Sequence, residues 1–241
     1  MTLSSSNPAA AQVPASVTVP AGQGFRGFTI TTSPVATSTP VTITGTHGVS
    51  RAATITVLAG ASNTGNTGLR SPGANAAEGG GDGNGFESGA ANAHGDDTAS
   101  AVDTNSGTAS STSCTSTGRD RHRFFDYGIT VPAGATVKGI EVRLDARVDG
   151  TSGSPRMCVA LSWDGGVSWT AAQATPTLTT TMTSRTLGGA TNTWGRSWTA
   201  AELSNANFRV RVTNVASSTA RDFSLDWIAV RVSHQGGSSA P

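Results

Sequence analysis

Short runs in which Val, Ile and Thr alternate with small polar residues, each closed by a turn bearing Pro or Gly, recur along almost the whole chain. Alternation with a period of two places apolar side chains on one face of an extended strand, whereas an amphipathic helix needs a period of 3.6. The helical pattern is missing except for one turn at Ala200 to Ser204. Gly, Ser, Thr, Ala and Val dominate and charged residues make up 13%, a mixture that favours strands and turns. The fold class is therefore all-β. At 241 residues the chain is long enough for one large or two small domains with a real core. Sixteen Lys+Arg against fifteen Asp+Glu leave a net charge of +1, which offers no basic excess for a nucleic-acid backbone. No apolar run reaches the roughly 18 residues of a membrane-spanning helix.

Residues 1–58 form the first division. Candidate strands are Ala15 to Val19, Phe25 to Thr31, Pro40 to Thr44 and Ala53 to Leu58, with turns at Pro14, Pro20-Ala21-Gly22, Pro34 and His47-Gly48. The runs Ser4-Ser5-Ser6-Asn7-Pro8-Ala9, Val13 to Gly22 and Phe28-Thr29-Ile30-Thr31-Thr32 resemble the bacterial immunoglobulin-like repeats of surface and secreted proteins. Such a repeat implies a sandwich of about seven strands, of which this segment supplies about five. The resemblance thus implies a partial Ig-like β-sandwich whose front lies upstream, with one sheet edge left to fray or to pair with another chain.

Residues 59–68 are small and polar and read as a linker. A second domain is expected over 69–235, followed by a flexible tail at 236–241. Its opening segment, Gly73 to Gly107, is rich in Gly, Asp and Asn and shows little strand pattern before Ala99 to Asp103; a loop that long is usually functional, ion-bound or disordered. Strands are expected at His122 to Val131, Thr136 to Asp149, Arg156 to Trp163, Val167 to Ala171, Thr181 to Leu187, Phe208 to Val215 and Asp222 to Ser233. The spacing points to a jelly roll or related β-sandwich. The runs Phe124 to Leu144 and Phe223 to Val232 resemble galactose-binding-like jelly rolls of carbohydrate-binding modules and bacterial or phage surface proteins.

Cys114 and Cys158 have neither a CxxC partner nor a nearby His at metal-ligand spacing, so a disulfide is expected; two unrelated buried thiols are the alternative. A loop of that length stabilises the fold by about 4 kcal/mol on the chain-entropy model. A disulfide needs an oxidising compartment, and with Lys138 as its single lysine the chain reads as extracellular or cell-surface.

Three sets of side chains carry possible chemistry. Trp194, Arg196 and Trp198 lie in a Gly/Asn-rich stretch where an outward indole would stack on a sugar ring and the guanidinium would bond its hydroxyls; core filling is the competing role. The galactose-binding-like resemblance implies a structural Ca2+ held by Asp82, Glu87 and Asp226, set against the alternative of solvated turn carboxylates. Asp120 and His122 share a strand face and, with Ser113 or Ser116, contain the elements of a hydrolytic triad, while His94, Asp96 and Asp97 offer similar acid, base or metal-ligand chemistry. No GxSxG elbow and no HExxH motif supports them.

Ser162 to Trp169 resembles an Asp-box hairpin, but a single copy and the single tyrosine, Tyr127, do not make a sialidase. The leading expectation is an Ig-like spacer joined to a recognition module that binds glycan or another surface polymer without turnover. A hydrolase on the second domain and a purely structural surface or adhesion repeat are the alternatives.

Overall fold

Strands form where β-branched side chains alternate and find a partner strand; where the partner is missing, the same residues stay irregular. The structure is a computed structural model that describes residues 1–35, 37–59 and 64–236. It divides into two units, Met1–Ser62 and Asn63–Pro241.

In unit 1, β1 (Thr2–Ser5), β4 (Thr39–His47) and β5 (Val49–Val57) form an antiparallel sheet in the order β1-β4-β5, and β2 (Ala11–Gln12) pairs with β3 (Thr31–Thr32). The β4-β5 hairpin turns on Gly48, whose φ of 73° is one that L side chains rarely adopt. Val41, Ile43 and Val57 are buried on one face of this sheet, beneath Ala10 and Ala11. The expected strands at Ala15 to Val19 and Phe25 to Thr31 reduce to a bridge between Thr2 and Ser16 and to β3. Of their large residues Ile30 packs partly buried against the small core, but Phe25 is 81% exposed and Val19 40%. Strand propensity is largely packing against neighbours, and here the neighbours are lacking.

Unit 2 contains β6 (Thr64–Asn66), β7 (Ala74–Glu78), β8 (Ala101–Asp103), β9 (Arg121–Phe125), β10 (Thr136–Val148), β11 (Arg156–Ser162), β12 (Gln173–Ala174), β13 (Thr183–Gly188), β14 (Arg209–Val215) and β15 (Phe223–Gln235). One sheet runs β13-β10-β15-β6, with β8 beside β6 on the same edge of β15, and the other runs β12-β11-β14-β9-β7. All pairings are antiparallel. Val142, Leu144, Ile228 and Val230 of the first sheet share one core with Phe124, Val159, Leu161 and Val212 of the second. The result is a β-sandwich. Cys114 and Cys158 are joined, with S–S 2.05 Å and Cα–Cα 5.5 Å, and the bond ties the loop before β9 to β11.

Several expected boundaries move. Thr64–Asn66 pairs with Ser233 to Gln235, so this part of the expected linker is a strand of unit 2; residues 60–63 and most of the expected tail, 237–241, lie outside the described residues. The expected strand from His122 to Val131 stops at Phe125 because Asp126 and Gly128 take φ of 63° and 58° and turn the chain away. Val167 to Ala171 is no strand: Ser162 Oγ accepts from the Gly166 amide at 2.8 Å and Asp164 Oδ1 from the Ser168 amide at 2.8 Å, closing a turn whose tip, Val167, is 84% exposed. The Gly73 to Gly107 segment is laid across the sandwich by β7, a short 3-10 turn at Ala90–Ala93 and β8. β7 escapes the alternation test because its sequence, Ala-Asn-Ala-Ala-Glu, has no branched residue; pairing with β9 makes it a strand.

Candidate functional site

The two longest strands build one polar face. In β10 the residues Val142, Leu144 and Ala146 point into the core, which leaves Glu141, Arg143, Asp145 and Arg147 on the outside. β15 alternates in phase with it until the pairing jumps from Asp145 with Trp227 to Ala146 with Leu225. Asp226 is the extra residue of this β-bulge, and a bulge re-aims a side chain that the pleat would otherwise fix.

Most outer charges are neutralised locally. Arg231 holds both Glu141 oxygens at 2.7 and 2.8 Å. Arg143 holds Asp145 at 3.0 and 2.7 Å, lies 3.7 Å from Asp96, and stacks 4.7 Å from the Trp227 ring centre. Trp227 is half-buried on this face, not in the core as its alternating strand suggests, and its indole N–H donates to Ser71 Oγ at 2.9 Å.

Arg147 differs. It is exposed and makes no ion pair among the described residues. It forms the shared wall of two clefts. One, of about 440 Å³, is lined by Thr98, Ser100, Thr180, Thr181 and Asp226. The other, of about 230 Å³, is lined by Asp149, Asp222 and Ser224. Asp226 is 5% exposed and its Oδ1 has no hydrogen-bond partner in the structure. Burial, then the nearby Asp96, Asp97 and Asp145 carboxylates, push its carboxyl upward, against the Thr98 amide. The arrangement is a largely polar groove with one guanidinium outside any ion pair among the described residues, the under-bonded Asp226 carboxyl, the Asp149 and Asp222 carboxylates at the smaller cleft, and a border of hydroxyls.

The residues expected to bind sugar are elsewhere. Trp194 and Trp198 are 5% and 6% exposed, and their indole N–H groups donate to the carbonyls of Ile140 and Thr193, both at 2.8 Å. Arg196 lies between Trp163 and Trp198, 3.9 and 4.7 Å from their ring centres, and pairs with Glu202 at 2.6 Å. The two tryptophans are part of the core, and Arg196 packs half-buried over it. A chain with few Leu and Phe fills its interior with indoles.

The hydrolytic set is likewise absorbed into the fold. Asp120 accepts from the amides of Asp82, at 3.0 Å, and Gly107. His122 is 3% exposed and its Nδ1 accepts the Phe86 amide at 3.1 Å, so the ring proton sits on Nε2 and is donated to Asn75 Oδ1 at 2.9 Å. Asn75 Nδ2 in turn donates to His94 Nε2 at 3.0 Å. Burial, with Arg123 and His94 adding to it, lowers the His122 pKa to about 4. Ser113 and Ser116 bond Thr115 and Gly118 instead of His122, Asp96 faces Arg143, and Asp97 accepts the Ala99 amide. Both imidazole nitrogens of His122 are committed to neighbours, so it is not poised to take a proton from a nucleophile.

Asp82, Glu87 and Asp226 do not meet. Asp82 accepts from Asn84, Glu87 accepts the Thr104 amide at 2.7 Å, and among the described residues no group of three or more acidic, His or Cys side chains is placed to hold a metal ion. These three residues do not fit a shared calcium ion.

One buried polar knot has no sequence signal. Arg119 is fully buried and donates to the carbonyls of Asn214, Ala109 and Ser218, while Asn214 donates to Asp103 at 2.7 Å. Burial pushes the Asp103 carboxyl up to about 7. Arg147 was hidden in the sequence for another reason, and Asp226 was expected there only as a calcium ligand: it is the bulge and the loop from Thr98 to Ser100 that bring the two to one groove.

No protein-family model matches the chain, and no curated protein matches it. Solved structures that align with it include two multi-module proteins. The CBM22-1 and GH10 modules of the Clostridium thermocellum endo-1,4-β-D-xylanase 10B with xylohexaose are 13% identical over 59% of this chain and 26% of that one, with a TM-score of 0.29. Truncated AlyQ with CBM32 and alginate lyase domains is 15% identical over 75% of this chain and 35% of that one, with a TM-score of 0.33. Both carry a carbohydrate-binding module, and this chain spans about a quarter to a third of their length.

Proposed function

We propose that unit 2 is a non-catalytic recognition module that holds a glycan, or another hydroxyl-rich surface polymer, along the groove divided by Arg147, outside the reducing cytosol. The observation that carries the reading is the pairing of an unneutralised guanidinium with the under-bonded Asp226 carboxyl in clefts edged by threonine and serine hydroxyls. Sugar hydroxyls both donate and accept, so they can satisfy Arg147 and Asp226 together. The sequestration of His122 and Asp120 in structural hydrogen bonds favours binding over hydrolysis, and the disulfide suits an oxidising compartment.

Calorimetric titration against a panel of soluble polysaccharides tests the reading. Arg147→Ala and Asp226→Asn are each expected to weaken the binding glycan about tenfold, the scale of one good charged hydrogen bond. Arg147→Ala should leave the melting temperature unchanged because the side chain is solvent-facing. Undiminished affinity in both variants, or turnover of a chromogenic glycoside or ester by the wild type, would remove it.

A further inference from the structure

Unit 1 leaves apolar surface and a strand edge open together. Of the exposed large apolar side chains among the described residues, Met1, Val19, Phe25, Phe28, Val49 and Leu58 belong to unit 1 and Val167 alone to unit 2. Beside β5 lies an apolar groove of about 590 Å³, lined by Leu3, Phe28, Ile30, Ile43, Val49 and Ile55. A contiguous exposed apolar patch of this kind marks an interaction surface.

The neighbouring edge is equally unguarded. β5 ends the sheet order β1-β4-β5, and no strand among the described residues pairs with its outer side. The opposite edge, at β1, is capped by Leu3 donating to Ala15 and Val17 donating to Met1. Natural edge strands are shielded by lysine, proline, bulges or short length. β5 is nine residues long, reads Val-Ser-Arg-Ala-Ala-Thr-Ile-Thr-Val, and pairs with β4 without a register shift. Residues 1–58 contain no Asp, Glu or Lys, and Arg26 and Arg51 are their only arginines.

We propose that β5 pairs antiparallel with β5 of a second copy of this chain about a two-fold axis at Ala53, giving a continuous six-stranded sheet. The strand's own sequence selects this occupant and this direction. With Ala53 on the axis, Arg51 faces Ile55, Val49 faces Val57 and Ala52 faces Thr54. Every pair joins residues of the same face, so the apolar stripe of Val49, Ala53, Ile55 and Val57 runs on across the junction. The two copies of Arg51 are four residues apart along the strands, about 13 Å, beyond the screening length of about 8 Å at physiological salt. Parallel pairing in register would set Arg51 against Arg51. An isologous contact of this form closes at two copies.

Sedimentation equilibrium of the full chain over a concentration series reads the result. A monomer–dimer equilibrium is expected, with Ala53→Glu or Ala53→Lys alone shifting it at least tenfold towards monomer, because each sets like charges face to face on the axis. An equimolar mixture of the two variants should recover the dimer. Ala53 is exposed, so both should keep the wild-type circular dichroism. Val167→Glu, in unit 2, should leave the dimer intact. The proposal is overturned by a monomer at roughly millimolar concentration, the range of a barely favourable contact. It is also overturned by a dimer indifferent to either Ala53 variant, or by variants whose mixture stays monomeric.

Discussion

The two units draw on the same residue alphabet and reach opposite solutions. Among its described residues unit 1 buries six apolar side chains, Ala10 and Ala11 among them, and leaves Phe25, Val49 and Leu58 in solvent. Unit 2 closes two five-stranded sheets over a core that includes Phe124, Phe208, Phe223 and two tryptophans, reinforced by a disulfide and a buried Arg119-Asn214-Asp103 knot. A three-stranded sheet facing only a two-stranded ribbon cannot enclose much apolar area, whereas two facing five-stranded sheets enclose a full layer of it. Unit 2 can therefore spend its surface on a polar groove, and unit 1 is left with an apolar face to cover.

The disulfide offers the largest way to break this contrast. Its loop of 44 residues predicts that Cys114→Ser with Cys158→Ser costs unit 2 about 4 kcal/mol. Urea unfolding should show the unit 2 transition moving down while any separate unit 1 transition stays in place. Equal movement of both would mean that the units do not unfold independently.

Proton linkage separates the units next. His122 is held neutral in the folded state, with a pKa of about 4 against 6.5 for the free side chain. The unfolded chain takes up a proton first, so this contribution is complete above about pH 6.5 and is lost as the pH falls towards 4. Asp103 acts oppositely: its carboxyl is raised from 3.8 to about 7, so its contribution is complete below about pH 4 and lost as the pH rises to 7. Between pH 6.5 and 4 the wild type should lose up to about 3 kcal/mol more than His122→Gln, at 1.36 kcal/mol per pKa unit. Urea midpoints at a series of pH values measure the difference, and parallel curves would show that His122 does not titrate between the two states. Unit 1 has no buried titratable side chain among the described residues and serves as the flat reference.

The smallest perturbation sharpens the comparison most finely. Val41 and Val212 are both buried, at 0% and 1% exposure, one in each core. Replacing either with Ala removes two methylene equivalents and should cost about 2 kcal/mol. Hydrogen exchange is expected to report loss of protection throughout β4 and β5 for Val41→Ala, but only a uniform modest increase in unit 2 for Val212→Ala. A mild local effect at Val41 would show that the small core is more robust than its size implies.

Strands such as β4, β10, β11, β14 and β15 were legible because each carries enough branched residues at the right period to declare its buried face. β7 was not, since Ala, Asn and Glu become a strand only beside β9. Trp194, Arg196 and Trp198 show a second limit. Sequence marks an indole as large and amphipathic but does not say which side of the sheet its turn delivers it to, and here Trp194 takes a φ of 56° and points inward. His122 and Asp120 illustrate a third: polar side chains placed for catalysis and polar side chains satisfying loop amides have the same residue types and spacing.

The amino-acid order by itself determined the all-β class and marked the two cysteines as a candidate pair, because alternation, turn residues and cysteine number act through local geometry and simple counting; the structure closed that pair. Only the tertiary structure decided which polar groups remain available. Whether Arg147 or Arg143 is free, whether Asp226 or Asp120 is fully bonded, and which strand edge lies open all depend on neighbours distant in the chain, and the strength of a charge or hydrogen bond is set by what surrounds it after folding.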